Sequence, residues 1–175
     1  MSVWLRLAPV VLLGLVIAAL VWRLANPEDP TIRSRLAGKP VPEFVLPAAV
    51  PNKPALASTD LAKGEPRLLN VFASWCVPCI AEARVLDELK RRGAAIDAIA
   101  IRDRPEDVAH FLATYGDPFE RIGADDNSRV QLALGSSGVP ESFVVDGRGV
   151  ISYQHVGPIE PGDVPAILAE LEKAK

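Results

Sequence analysis

The sequence predicts an α/β domain, a central mixed sheet flanked by helices, behind an apolar N-terminal helix. Three observations carry that expectation. Compact apolar runs of strand length alternate with segments whose apolar residues recur every three or four positions. Gly147-Arg148-Gly149 separates two further strand-like runs, which is a hairpin signal. Sixteen uncharged residues, Leu7 to Trp22, lie between Arg6 and Arg23 at the start of the chain.

The N-terminal run has no polar face, which argues against a buried soluble helix. Trp4 and Trp22 stand near its two ends, where indole rings suit a membrane interface. With the flanking arginine stems able to reach outward, a helix here could cross a bilayer. A cleaved signal peptide wants small residues at its cleavage site. This run ends Leu20-Val21-Trp22-Arg23-Leu24, so a retained anchor over residues 1–25 is expected. Positive residues flank both ends, and charge therefore leaves the orientation open.

Eight of the 16 prolines fall between Asn26 and Arg67. Proline fixes φ and lacks the backbone donor, which excludes a long helix or a central strand there. Residues 26–38 read as a stiff spacer and residues 39–175 as the globular domain. Pro42-Glu43-Phe44-Val45-Leu46-Pro47 reads as a short edge strand closing one side of it. Leu68–Ala73 is apolar enough for a buried strand, and Cys79–Arg91 carries the helical stripe Ile80, Ala83, Leu86 and Leu89. Ala95–Ile101 reads as a second strand and Pro105–Tyr115 as a helix that opens on proline. A short helix follows at Asn127–Leu134. Ser142–Asp146 and Val150–Val156 flank the Gly-Arg-Gly turn, and a helix over Asp163–Lys173 completes the domain. This order implies a parallel pair joined by a helical crossover, extended by an antiparallel hairpin.

At 175 residues, 49% of them hydrophobic, the chain can bury one substantial core. Lys+Arg 19 against Asp+Glu 22 leaves no basic excess to bind nucleic acid. Two cysteines exclude a disulfide-dense scaffold, and with two histidines at unrelated spacing they make a poor metal site.

The chemistry concentrates at Trp75-Cys76-Val77-Pro78-Cys79, where a buried strand gives way to a helix. A thiol at a helix N-terminus faces unpaired N–H groups and the positive end of the dipole, which stabilise its thiolate. Only the thiolate attacks a disulfide, so Cys76 is the expected nucleophile. Cys79, one turn later, is placed to attack the resulting mixed disulfide. Pro78 sits in the first turn, where its missing N–H costs little, and Trp75 would cover one side of the site. A purely structural bridge across so short a loop would remove little unfolded-state entropy, which favours redox chemistry. Gly138-Val139-Pro140-Glu141 precedes the strand that opens at Ser142. A Val-Pro bond adopts the cis form at small cost, and such a turn beside the cysteines would leave the Val139 backbone free to pair with an extended substrate. An ordinary trans loop proline is the alternative.

These residues resemble the thioredoxin superfamily, and more closely its membrane-anchored thiol:disulfide interchange proteins of the DsbE/CcmG type. The resemblance runs from about Gly38 to the C-terminus. It is carried by Gly38-Lys-Pro-Val-Pro-Glu-Phe44, Leu68-Leu-Asn-Val-Phe-Ala-Ser-Trp-Cys-Val-Pro-Cys79, Ala81-Glu82, Gly138-Val-Pro-Glu141, Phe143-Val-Val-Asp-Gly147 and Tyr153-Gln-His-Val-Gly157. It implies a thioredoxin-like fold, a cis Pro140 facing Cys76, a single-pass inner-membrane anchor and a periplasmic domain. It also implies a protein-disulfide reductase for cytochrome c maturation, acting on apocytochrome c or its dithiol chaperone. A membrane electron carrier would re-reduce the cysteine pair, and the chain itself would carry no haem, metal or other cofactor.

Asn70 occupies a position where thioredoxins have a buried, proton-accepting aspartate, a role an amide cannot fill. Glu82, three residues after Cys79, is the expected substitute; a solvated helix carboxylate is the other reading. Glu141 is a candidate for steering substrate or simply a surface charge. Ser136-Ser137 departs from the family, which more often has bulkier residues there. His155 and Asp103 align plausibly, with no catalytic role expected of either. Two rival functions share these residues: an anchored reductase for another exported client, such as a respiratory copper-site assembly factor, and a copper-binding chaperone using the two thiolates.

Overall fold

The computed structural model describes residues 9, 12–18, 21–23 and 37–175. The chain divides into two units, Met1–Thr31 and Ile32–Lys175. The described residues of the first are helical. No helix among the described residues is long and apolar enough to cross a membrane. The expected anchor over 1–25 and spacer over 26–38 rest largely on residues outside the described ones.

The second unit begins with a small antiparallel pair, β1 (Val45–Leu46) and β2 (Leu56–Ala57), followed by a 3-10 turn at Ser58–Leu61. The expected strand over Pro42–Pro47 is therefore only two residues long and joins no edge of the main sheet as a full strand. Pro42 and Pro47 remove the donors a longer ladder would need. The pair instead docks beside the sheet through an Ala48–Gly123 bridge. A Cβ on Gly123 would stand 2.8 Å from Leu46 Cβ, so this close approach requires glycine.

The main sheet has the order β5-β4-β3-β6-β7. Its centre is β3 (Arg67–Phe72), six residues all buried, as its near-continuous apolar run requires. β4 (Ile96–Ile101) lies parallel to it and β5 (Ile122–Asp125) parallel to β4. On the other side β6 (Glu141–Val145) and β7 (Ile151–Val156) run antiparallel. The expected mixed sheet is present, with three parallel strands rather than two. β5 was not legible because a four-residue segment with a central glycine has little strand signal of its own; pairing with β4 makes it a strand.

The α-helices of the second unit are α1 (Val77–Arg91), α2 (Pro105–Tyr115), α3 (Arg129–Ala133) and α4 (Val164–Lys173). α1 buries Cys79, Glu82, Ala83, Leu86 and Leu89, spaced three or four apart, and packs against α2 and α4. Phe72 at the end of β3 stacks on Phe119 at 5.1 Å and meets Phe111 of α2 at 5.3 Å. This aromatic cluster holds α2 beside the strand end from which the cysteines follow.

Candidate active site

Cys76 caps the N-terminus of α1, and its Sγ accepts from the Cys79 N–H at 3.2 Å. The two cysteines form a disulfide, their Cα atoms 5.2 Å apart. Cys76 is 5% exposed and Cys79 1%, so an incoming sulfur meets Cys76 first. Pro78 lies in the first turn of α1, where its missing donor is harmless. Trp75 (58% exposed) and Val77 (74%) flank Cys76 with open apolar surface.

The approach to Cys76 is clamped from the loop after β4. Asp103 accepts from the Ser74 N–H at 2.6 Å and from its hydroxyl at 2.7 Å. The Trp75 indole N–H donates to the Arg102 carbonyl at 3.2 Å. This bond holds the Trp75 ring beside the site, and Asp103 has a role that residue type and spacing did not reveal. His155 lies in β7, with Nε2 3.2 Å from the Pro158 carbonyl.

Behind the cysteines lies Glu82, only 1% exposed. The solvated-carboxylate reading is overturned: α1 turns this position onto the sheet. Glu82 Oε1 accepts from Asn70 Nδ2 at 3.0 Å, and Oε2 accepts from the Ile159 N–H at 3.0 Å. Burial raises its pKa from 4.5 to about 7, against the pull of the Ile159 and Asn70 donors. Asn70 also donates to Ser142 Oγ at 3.0 Å, so one amide ties β3 to α1 and β6. Ser142 and the Ile159 N–H escaped the sequence reading, since only the register Asn70–Ser142 brings the first into place.

The same register, with Val71 opposite Glu141, carries Pro140 to the end of β3 from which Cys76 follows. The Val139–Pro140 bond is cis. Glu141 is 1% exposed, which overturns the surface-charge reading and equally the expectation that its carboxylate touches substrate. Its Oε1 accepts from the Ser137 N–H at 3.1 Å and hydroxyl at 2.8 Å, and Oε2 from Gln154 Nε2 at 3.3 Å. The carboxylate is thus held inside, between the loop and β7.

A sulfur pair that closes at a helix start, backed by a buried carboxylate poised near neutrality, suits two-electron exchange between dithiols and disulfides. On this sheet order it defines a thioredoxin-like thiol:disulfide oxidoreductase. The redoxin family profile matches residues 36–171. Thiol:disulfide interchange protein DsbE of Vibrio cholerae is 38% identical over 170 residues, covering 96% of this chain and 91% of the relative. DsbE of Escherichia coli K12 is 36% identical over 160 residues, covering 89% and 86%. Among solved structures, a thiol:disulfide interchange protein of Chlorobium tepidum superposes with a TM-score of 0.61 at 25% identity, over 77% of this chain and 94% of that one. The chain belongs to the redoxin family, as a thiol:disulfide interchange protein of the DsbE type.

Proposed function

We propose that this oxidoreductase is a specific periplasmic reductant in cytochrome c maturation. It keeps the cysteines of apocytochrome c, or of a dithiol chaperone that serves it, reduced for haem attachment. The supporting observation is the reach of the likeness to DsbE of Vibrio cholerae, which spans 96% of this chain and so takes in the apolar N-terminal run. Residues 1–25 anchor the chain in the inner membrane, residues 26–38 act as a spacer, and the domain over 39–175 faces the periplasm.

In the reaction, the Cys76 thiolate attacks one sulfur of the client disulfide and releases the other client sulfur as a thiol. Cys79 then attacks Cys76 Sγ, releasing the second client thiol and closing the Cys76–Cys79 bond. Two electrons have passed to the client, and a membrane electron carrier returns two to the pair. Glu82 takes the Cys79 proton, with Asn70 and the Ile159 N–H aiming its carboxylate. Trp75 and Val139–Pro140 flank the client chain, Val139 pairing with it through its backbone. Glu141 acts from inside, by holding the loop that carries Val139, and Pro78 limits how far the two sulfurs separate.

The test is a Cys79→Ser chain expressed in cells assembling c-type cytochromes. Cys76 then forms a mixed disulfide that nothing resolves. Capture of an apocytochrome or its dithiol chaperone, with the adduct in the inner-membrane fraction, is the expected result. Capture of a copper-site assembly factor alone would move the proposal to that client, and a soluble adduct would remove the anchor.

A further inference from the structure

We propose that Gln131 and Ser136 are positioning residues that aim the Val139 backbone at an extended client chain. The inference rests on the reading of Val139–Pro140 as the client-pairing segment. The Gly138 carbonyl accepts two side-chain hydrogen bonds, from Ser136 Oγ at 2.9 Å and from Gln131 Nε2 at 3.3 Å. The Gln131 amide also reaches Ser136 Oγ at 3.5 Å. Gln131 is 7% exposed and Ser136 6%, so both grips lie on the inner side of the loop.

Gln131 is itself set by the protein. Its backbone N–H donates to Asp125 Oδ2 at 2.9 Å, and Asp125 Oδ1 accepts from the Arg129 N–H at 3.0 Å. The carboxylate ending β5 thereby fixes the start of α3, which delivers the amide.

The consequence follows from peptide geometry. In a trans peptide the C=O and the following N–H point in opposite directions. Holding Gly138 C=O inward therefore turns the Val139 N–H outward. Neither the Val139 N–H nor its C=O has a backbone partner among the described residues. One residue presenting a free donor and a free acceptor is what strand addition uses. The loop has separate fastenings on both sides: Ser137 to Glu141, and the Gly157 N–H to the Pro140 carbonyl at 3.0 Å. The Gln131 and Ser136 bonds act instead on the single peptide plane ahead of Val139. The serine pair that departs from the family thus divides its work, Ser137 fastening the loop and Ser136 orienting the pairing residue.

The test uses the reduced full chain and three disulfides: a short extended peptide carrying a mixed disulfide, the same peptide N-methylated at the residue beside its cysteine, and 2-hydroxyethyl disulfide. Wild type should react more slowly with the N-methylated peptide. In the Gln131→Ala/Ser136→Ala double variant the ratio of peptide rate to small-disulfide rate should fall about tenfold, the combined effect of two ordinary hydrogen bonds. Ser136→Thr keeps the hydroxyl and should hold the ratio near the wild-type value. An unchanged ratio in the double variant, with N-methylation still discriminated, would overturn this inference and leave the pairing reading standing. Equal slowing of peptide and small disulfide would reduce the pair to a structural role and also overturn it. Indifference of wild type to N-methylation would overturn the pairing reading, and this inference with it.

Discussion

Glu82 is a carboxylate on the second turn of α1 with nearly no contact with water, and its pKa of about 7 has a consequence for stability as well as for chemistry. Between pH 4.5 and 7 the folded protein holds a proton that the unfolded chain has released. Folding stability therefore falls as pH rises through that window, by on the order of 3 kcal/mol in total. Glu82→Gln removes the titration. Melting temperatures of the two proteins, followed from pH 4.5 to 8, should shift relative to each other in favour of the variant as pH rises. A constant difference across the range would show that Glu82 does not titrate there. The rate of disulfide exchange should lose an inflection near pH 7 in the same variant, and an unaltered pH profile would remove the proton-accepting role. The spacing from Cys79 pointed to this residue. Its burial could not be read from the helix pattern, because a glutamate on an amphipathic stripe ordinarily faces water. The Asn70 amide and the Ile159 N–H, 12 and 77 residues away in the chain, are what make an inward carboxylate tolerable.

Among the elements, the loop between β4 and α2 does more than connect them. Asp103 accepts two hydrogen bonds from Ser74, two residues before the nucleophile. Charge-assisted bonds of this kind contribute about 1.5–3 kcal/mol when one partner is ionised. Asp103→Ala should lower stability by about 2 kcal/mol in chemical denaturation, and Ser74→Ala by about 1 kcal/mol, since it keeps the backbone bond. The double variant should cost less than the two single effects added, because both remove the same contact. Strict additivity would mean the clamp contributes nothing. The strand before Cys76 and the helix after it were legible as elements, from an apolar run and from a stripe with proline in its first turn. The grip of one loop on the other was not, because it depends on β4 lying parallel to β3 so that both strands end at the same edge.

Across the whole molecule the sheet separates chemistry from a charge cluster built on the buried pair Arg67–Asp97. β3 begins at Arg67 and leads to Cys76 beyond its far end. Arg67 bonds Asp97 at 2.5 Å and also Glu120, while Arg121 stands 3.9 Å from Asp97. The Asp97 side chain is fully buried. Asp97→Ala leaves the buried Arg67 with Glu120, a half-exposed carboxylate, as its remaining partner in this cluster, and should cost about 1.5–3 kcal/mol, the range of a hydrogen bond to a charged group. Exchange of a small disulfide by the folded variant should be unchanged, since this cluster and the cysteines lie at opposite ends of β3. A slowed exchange in fully folded protein would show coupling along the strand.

Periodicity, proline placement and the Cys76–Cys79 spacing were enough to locate four of the five strands of the main sheet, the helices flanking it, the redox pair and its helix start. These signals are local, written within a turn or a strand length of one another. The burial of Glu82 and Glu141, the third parallel strand, the Ser74–Asp103 clamp and the grip of Gln131 on the Gly138 carbonyl became visible only in the folded chain. Each depends on which strands are neighbours and in what register, and sheet pairing joins residues far apart in sequence through backbone bonds that no side-chain pattern encodes. The two cysteines therefore announce the chemistry, while long-range packing sets the proton acceptor behind them and the surface offered to a client.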